Sequence, residues 1–272
     1  MKKINRYLRF CNKYGPCALV AGGSDGLGRA YAEALARRGL NLILIARNNK
    51  KLEETASQLR EKYSVDIITF AVDLADYEKV KNLVTELLCE KKANFSVGLL
   101  VYNAAFAPIG LFENTSEEHL CAAADVNVKA PLLLSKLLSV PMIQNKRGGI
   151  VLMSSLAGAQ GSPNLAAYAA TKAFNAVLAE GLWKELKPHG IDVIGCCAGA
   201  ILTPGYQQAE KSKPAPGTLP AKDVAEKTLK ALGKGPIFVP GGLNKFARFL
   251  FTRILSKKTA INIMSKNTGG LS

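Results

Sequence analysis

Short apolar segments alternate along the chain with longer segments in which apolar positions recur at helical spacing. The apolar segments are rich in β-branched residues and nearly continuous, which is typical of strands covered on both faces of a sheet. The pattern predicts strands at 17–21, 42–46, 67–72, 98–102, 150–154, 191–197 and 236–239. It predicts helices between them, near 27–38, 50–63, 76–91, 117–140, 165–187 and 222–232.

This alternation favours a single α/β domain: a doubly wound parallel sheet of about seven strands, with right-handed crossovers and helices on both faces. The 272 residues contain no linker that would separate a second domain. We expect a core at 16–240, with a basic amphipathic segment at 1–15 before it and a basic extension at 241–272 after it.

A glycine-rich turn joins the first predicted strand to the helix that follows it. The turn reads Ala-Gly-Gly-Ser-Asp-Gly-Leu-Gly over 21–28. Glycines allow a tight turn and let the backbone approach a pyrophosphate, which the helix N-terminus then stabilises. The position of the turn therefore predicts a dinucleotide site rather than a plain loop. In that site we expect Asp25 to cap the helix and Ser24 to donate to phosphate.

The end of the second predicted strand bears on the choice of nucleotide. Dinucleotide sites select NAD with an acid that binds the ribose 2′-hydroxyl, whereas an arginine accommodates the 2′-phosphate of NADP. Here Arg47 follows the strand, and no acid occurs before Glu53. The sequence therefore favours NADP(H). The alternative is that Arg47 is only a surface charge.

Three side chains of the stretch 154–172 suggest acid–base chemistry. Tyr168 and Lys172 are four residues apart and share one face of a predicted helix. A free phenol titrates at about pH 10, and a neighbouring ammonium is expected to lower that pKa toward the range useful to a general acid. Ser155 can add a hydroxyl donor to the same oxygen. A tyrosine and lysine at this spacing also occur by chance, as a packed and an exposed residue.

In chain order, these motifs resemble those of the short-chain dehydrogenase/reductase family over residues 16–240. They are Gly22-x3-Gly26-x-Gly28, Asp73, Asn103-Ala104, Asn127, Ser155, Tyr168-x3-Lys172 and Gly199-x3-Thr203. The segments 24–31 and 44–47 are similar to the subgroup of hydroxysteroid dehydrogenases and long-chain 3-ketoacyl reductases. The chain departs from the family pattern at Ala21, Ala105 and Ala198, where threonine, glycine and proline are usual.

The resemblance implies a Rossmann-type fold, a catalytic tetrad and an NADP(H) site. The implied tetrad is Asn127, Ser155, Tyr168 and Lys172. The implied cofactor-binding residues are Gly22, Ser24, Asp25, Gly26, Leu27, Gly28, Arg47, Asp73, Leu74, Asn103, Ala104, Tyr168, Lys172, Gly199, Ile201 and Thr203. In such proteins the acid after the third strand binds adenine, the lysine also holds the nicotinamide ribose, and the tetrad asparagine anchors a water relay. Ile201 and Thr203 are expected to meet the carboxamide.

The resemblance further implies an enzyme that interconverts a ketone and a secondary alcohol with NADPH as cofactor. A Pro-, Gly- and Lys-rich segment at 202–220 is expected to form a lid over the site. Apolar residues expected around the substrate are Phe106, Leu156, Pro163, Leu165, Leu202, Tyr206 and Leu219. They favour a lipophilic carbonyl or alcohol substrate, such as a steroid or a 3-oxoacyl chain. The alternative is a non-catalytic NADP(H) sensor or docking protein that uses its basic termini.

The composition limits which other classes of protein the chain resembles. Six cysteines lack CxxC spacing and the chain has two histidines, so we expect reduced thiols, a cytoplasmic protein and no metal site. We also expect a homo-oligomer, and no membrane span. The net charge is +15, and no acidic residue follows Glu226 although nine basic residues do. No nucleic-acid-binding motif accompanies this charge, so we expect no nucleic-acid partner.

The C-terminal extension carries an amphipathic helical pattern. Its apolar stripe consists of Leu243, Phe246, Ala247, Leu250, Phe251 and Ile254. Such stripes usually face a protein core, which favours packing beside the substrate cleft or against a second subunit. The alternative is that the helix lies on an anionic membrane or an acidic carrier protein and brings lipophilic substrates to the lid.

Overall fold

The computed structural model describes residues 2–89, 95–204 and 214–268. Within these ranges the strands are β1 (Cys17–Ala21), β2 (Asn41–Ala46), β3 (Ile67–Ala71), β4 (Val97–Tyr102), β5 (Gly148–Ser155), β6 (Ile191–Ala198), β7 (Ile201–Leu202), β8 (Leu219–Pro220) and β9 (Ile237–Phe238). Seven of the described strands form one parallel sheet in the order β3-β2-β1-β4-β5-β6-β9, and β7 pairs with β8. The predicted fold class is confirmed, and each predicted strand corresponds to one of these seven.

The described helices are α1 (Lys2–Tyr14), α2 (Gly26–Ala36), α3 (Asn49–Tyr63), α4 (Tyr77–Cys89), α5 (Glu117–Ala124), α6 (Ala130–Gln144), α7 (Ala166–Leu186), α8 (Ala221–Ala231), α9 (Gly242–Phe249) and α10 (Lys257–Thr268). Two π-helical turns interrupt or extend them. Asp125–Lys129 connects α5 to α6, and Leu250–Ile254 continues α9. The single helix predicted near 117–140 is present, but the π turn inside it was not predicted.

Both faces of the sheet are covered, which explains the nearly continuous apolar strands. On β1, Val20 packs into the cluster beneath α2, α3 and α8, whereas its neighbour Leu19 packs into the cluster beneath α4, α6 and α7. Successive side chains of a strand point to opposite faces, so a strand buried on both faces needs apolar residues at every position. By length and composition the described helix Glu117–Gln144 could cross a membrane. Its residues Leu134 and Leu138 are instead buried on this sheet.

A partly buried ion cluster fixes α8 against α2. Arg38 donates to both carboxylate oxygens of Glu226, at 2.9 and 2.8 Å, and Arg37 donates to the same carboxylate. Burial by itself would raise the pKa of Glu226, but the two guanidinium groups outweigh it and lower the pKa to about 2. The carboxylate therefore stays charged at neutral pH, and the two helices that flank one face of the sheet are tied together.

The N-terminal segment lies at the amino ends of the strands. The Tyr14 hydroxyl donates to Asp192 Oδ2 at 2.6 Å, and Lys13 also pairs with this carboxylate. Phe10 and Tyr14 pack onto the core beneath α2. This segment is the helix α1, and it lies away from the carboxyl ends of the strands.

Candidate active site

A cavity of about 1200 Å³ opens at the carboxyl ends of the strands, where the strand order reverses between β1 and β4. Parallel α/β sheets bind ligands at this switch point because the loops on its two sides diverge. The residues of the predicted site that line the cavity are Gly22, Ser24, Asp25, Gly26, Leu27, Arg47, Asp73, Leu74, Asn103, Ala104, Ser155, Tyr168, Lys172, Gly199, Ile201 and Thr203. Gly28 and Asn127 are the two predicted residues that lie behind this surface instead.

Backbone approach explains the glycines of the turn. A Cβ at Gly28 would lie 1.7 Å from the carbonyl oxygen of Gly22, so any larger residue would force the helix away from the loop. Gly22 has φ +80°, and a Cβ there would lie 2.8 Å from the Cα of Ala104. The turn therefore needs glycine at these positions for its own geometry. Gly28 therefore shapes the turn from behind the cavity surface.

Hydrogen bonds hold the cradle in place. Asp25 caps α2 by accepting from the backbone N–H of Gly26 at 2.6 Å, as the sequence predicted. The side-chain amide of Asn103 donates to the carbonyl of Gly22 at 3.2 Å and so connects β4 to the turn. Thr55 of α3 donates to the carbonyl of Ser24 at 2.9 Å. The N-terminus of α2 is thus presented to the cavity by a fixed loop, which fits an anionic pyrophosphate.

Two cations lie at the outer end of the cavity, after β2. Arg47 is exposed there and lines the cavity, and Lys51 of α3 also lines it. Lys51 Nζ lies 3.2 Å from Asp25 Oδ2. The backbone N–H of Lys51 donates to Oδ1 of Asn48, which is the N-cap of α3. Sequence reasoning did not identify Lys51. It lies four residues after Arg47 in the chain, and this closeness is the only signal that the sequence offers for it.

Asp73 and Leu74 form the adjacent wall. The Asp73 carboxylate accepts from the backbone N–H of Ala75 at 3.0 Å, so it shapes the turn after β3 and also lines the cavity. Leu74 is buried. Both interpretations of Asp73, as a turn residue and as a group beside the adenine, are compatible with this placement.

Asn127 is fully buried in the π turn between α5 and α6. Its side chain accepts from the backbone N–H of Phe106 at 2.8 Å and donates to the carbonyl of the same residue at 2.7 Å. It also donates to Thr171 Oγ1 at 3.0 Å, and its own carbonyl accepts from Asn175 Nδ2 at 3.0 Å. Asn127 therefore positions the loop after β4 and contacts the helix that carries Tyr168.

Lys172 is buried beside the phenol of Tyr168. Its Nζ donates to the carbonyl of Met153 at 3.0 Å and lies 5.6 Å from the centroid of the Tyr168 ring. Ser154 donates to the carbonyl of Lys172 at 2.6 Å, which fixes α7 against the end of β5. The side chain is 2% exposed, and this burial lowers the pKa of Lys172 to about 8.

The pKa of Tyr168 differs from the prediction. Burial of the phenol, which disfavours the phenolate, raises the pKa, and the hydrogen-bonding hydroxyl of Ser155 lowers it only in part. The expectation that the Lys172 charge lowers the pKa of Tyr168 is therefore wrong for the protein without cofactor, because desolvation is the larger cause. A protonated phenol at neutral pH is the state that a general acid requires. Tyr168 is thus suited to give a proton to a developing alkoxide.

Apolar residues form the wall next to Tyr168, but fewer of the predicted ones than expected. Phe106 and Leu165 line the cavity, together with Ile109 and Val126. Of the other predicted substrate residues, Leu219 packs against the core cluster beneath α2. The described residues that line the cavity do not include Leu156, Pro163 or Leu202. Tyr206 and the middle of the predicted lid, residues 205–213, lie outside the described residues.

Sequence reasoning also missed three residues that hold the predicted site residues in place. Met153 supplies the carbonyl that holds Lys172, Thr171 bridges to Asn127, and Asn175 supports the π turn. These roles depend on backbone carbonyls or on contacts between distant segments. Their sequence neighbourhood therefore offers no signal for them.

Comparisons with known proteins find relatives over about two thirds of the chain. The chain is 36% identical over 188 residues to a very-long-chain 3-oxoacyl-CoA reductase of Coprinopsis cinerea, covering 68% of this chain and 54% of the relative. It is 36% identical over 183 residues to the human inactive hydroxysteroid dehydrogenase-like protein 1, and the match covers 66% of this chain and 54% of that relative. The chain thus spans about half the length of these relatives.

Solved structures match over nearly the whole chain. A 7beta-hydroxysteroid dehydrogenase superposes with a TM-score of 0.86 and 25% identity, covering 94% of this chain and 99% of the other. A short-chain dehydrogenase from Sphingobium yanoikuyae in complex with NADPH gives a TM-score of 0.76 with 27% identity, covering 89% and 97%. Residues 16–214 match the sequence model of the short chain dehydrogenase family. The chain therefore belongs to the short chain dehydrogenase family of oxidoreductases, whose members use NAD(P).

Proposed function

We propose that this protein is an NADPH-dependent reductase that converts a lipophilic ketone, of steroid or 3-oxoacyl type, to a secondary alcohol. The observation that carries the proposal is that one cavity is lined both by the glycine turn and by Ser155, Tyr168 and Lys172. The acid–base group and the nucleotide cradle thereby face the same space. Bound NADPH would supply the hydride, which is chemistry that no side chain can provide.

The chain's own groups would bind and orient both reactants. The N-terminus of α2 and the turn at 22–28 would hold the pyrophosphate. Lys172 would hold the nicotinamide ribose. Ser155 would hold the carbonyl oxygen and stabilise the charge that develops on it. Tyr168 would donate its proton to that oxygen, and the buried Lys172 ammonium would stabilise the phenolate that remains.

The substrate class rests on the wall beside Tyr168 and on the relatives. Phe106, Ile109 and Leu165 offer an apolar surface to whatever lies next to the phenol. A lipophilic ketone buries its carbon skeleton there, and each buried methylene contributes about 0.8 kcal/mol. The names of the matched proteins refer to 3-oxoacyl-CoA and hydroxysteroid substrates, which are lipophilic carbonyl and alcohol compounds.

Oxidation of NADPH against a panel of ketosteroids, 3-oxoacyl thioesters and small diketones tests the proposal. We expect a kcat/KM for at least one lipophilic ketone that exceeds that of a small diketone by about tenfold or more, because apolar burial lowers the free energy of the bound state. A higher kcat/KM for the small diketones would contradict the lipophilic assignment.

Arg47 and Lys51 lead us to propose a preference for NADPH over NADH. A charge-assisted contact to the 2′-phosphate contributes about 1.5–3 kcal/mol, or about tenfold to a hundredfold in kcat/KM. We expect Arg47→Ala to remove most of this preference and Lys51→Ala part of it, measured as the ratio of kcat/KM for the two cofactors. The exposed neighbour Lys50 provides a control, since Lys50→Ala should leave the ratio unchanged. A wild-type protein that prefers NADH would refute the assignment.

A second candidate function is NADP(H) binding without catalysis. The observation that favours it is the 36% identity to a relative whose name calls it inactive. The chain nevertheless carries Ser155, Tyr168 and Lys172 in the cavity, so it has the groups that reduction needs. Tight NADPH binding with no turnover of any ketone in the panel would favour this second function.

A further inference from the structure

We propose that α9 and the π turn that follows it form a docking face for the surface of an anionic phospholipid bilayer. The docking face consists of Leu243, Lys245, Phe246, Phe249, Arg253 and Ile254. This inference goes beyond the reductase function and does not depend on it. A protein can dock in this way whether or not it turns over a ketone.

The apolar side chains of the docking face point to solvent. The exposed fraction is 54% for Leu243, 62% for Phe246, 55% for Phe249 and 62% for Ile254. The expectation that this stripe packs beside the substrate cleft is therefore wrong for Leu243, Phe246 and Ile254, whereas packing against a second subunit stays a prediction. Four large apolar groups on α9 and the π turn that follows it form a patch of the kind that marks an interaction surface.

The opposite side of α9 is anchored, which fixes the direction of the docking face. Asn244 is 4% exposed, and its Nδ2 lies 3.0 Å from the carbonyl oxygens of both Gly217 and Pro240. A Cβ at Gly199 would lie 2.9 Å from Asn244 Oδ1, so the helix also touches the loop that lines the active-site cavity. The helix cannot rotate its phenylalanines inward without breaking these contacts. The apolar patch is therefore a fixed feature of the fold.

Positive charge surrounds the apolar patch. Lys245, Arg253, Lys257 and Lys258 are exposed, and no acidic residue follows Glu226 in the sequence. Lys245 also lines a neighbouring cavity of about 590 Å³, together with Lys227, Lys230 and Lys234. Basic side chains near a membrane surface are attracted by anionic lipid head groups, while the apolar face enters the interface.

The charge argues against the other occupants of this face. A second copy that met the face symmetrically would bring the same exposed cations together, which is unfavourable. A nucleic acid would neutralise the cations but would offer no apolar partner to Leu243 and Ile254. A bilayer with anionic head groups supplies both partners, so it fits the combination best.

Vesicle sedimentation with the full chain tests the proposal. We use vesicles of phosphatidylcholine alone and vesicles that contain about one third phosphatidylglycerol. We expect binding about tenfold or more tighter to the anionic vesicles, since each basic residue near an anionic surface adds to the attraction and salt screens it. Phe246→Ser combined with Phe249→Ser should weaken binding by about tenfold or more while the Kd for the nicotinamide nucleotide stays unchanged.

Phe112 provides the matched control. It is 63% exposed, like Phe246, but it is followed by Glu113 rather than surrounded by cations. Phe112→Ser should leave vesicle binding unchanged. Wild-type protein that does not sediment with anionic vesicles at low salt would overturn the proposal. So would a wild-type dimer that the Phe246→Ser/Phe249→Ser variant converts to monomer, since the face would then be a subunit interface.

Discussion

Replacing Tyr168 by phenylalanine is expected to lower kcat for ketone reduction by at least about a hundredfold, the contribution typical of a general acid. The substitution removes only the phenolic oxygen and its proton. The ring remains, and so do its contacts with Lys172 and the cavity wall. The Kd for NADPH, measured by fluorescence of the bound nucleotide, should therefore change by less than about threefold.

Tyr77→Phe serves as the control, because Tyr77 begins α4 on the surface and is absent from the described lining of the cavity. This variant should keep wild-type kcat. If Tyr168→Phe retained a tenth or more of wild-type kcat, Tyr168 would not be the acid. If it lost NADPH binding as well, the result would indicate a structural role for the phenol instead.

Replacing Lys172 by methionine is expected to abolish turnover and, at the same time, to stabilise the protein without cofactor. The pKa of Lys172 falls from 10.5 to about 8 because of burial. This shift corresponds to about 3 kcal/mol of free energy that disfavours the charged form in the folded protein. Methionine avoids that penalty but loses the hydrogen bond to Met153. We expect a net rise of about 1–2 kcal/mol in the free energy of unfolding at pH 7.

The advantage of the methionine variant should shrink as the pH rises. Above about pH 8 the buried lysine of the wild-type protein loses its proton, whereas in the unfolded chain it stays charged up to about pH 10.5. The unfolded state then binds more protons than the folded state, so wild-type stability rises with pH in this window. Urea unfolding at pH 7 and pH 9.5, in the presence of a thiol reductant, measures the difference.

Lys184 lies on the same helix but is exposed, so Lys184→Met should change stability by less than about 0.5 kcal/mol at both pH values. A Lys172→Met protein less stable than wild type at pH 7 would contradict the desolvation argument. So would a stability difference that does not vary with pH.

The sheet was predictable from the sequence because its information is local. A strand covered on both faces must be apolar at every position, and 17–21 and 42–46 satisfy this requirement without reference to the rest of the chain. The glycine turn was predictable for the same reason: strand, turn and helix are contiguous, and Asp25 caps the helix one residue before Gly26. The spacing of Tyr168 and Lys172 likewise placed both on one helix face.

The tertiary structure decided what depends on segments far apart in the chain. Asn127 was identified by resemblance, but its contacts with Phe106 and Thr171 arise from a π turn that local apolar periodicity cannot reveal. The direction of the pKa shift of Tyr168 depends on how completely the surrounding segments bury the phenol. The sequence offered only the neighbouring lysine and therefore predicted the opposite sign.

Helix α9 also shows which features the sequence determines and which features the tertiary structure decides. Its amphipathic pattern and its excess of positive charge are properties of the sequence alone. Which side of the helix faces the protein is decided by Asn244, whose amide bonds to Gly217 and Pro240 turn Phe246 and Phe249 toward solvent. A buried polar side chain that finds good hydrogen bonds can thus set the orientation of a helix against its apolar stripe, because leaving that amide unpaired would be costly.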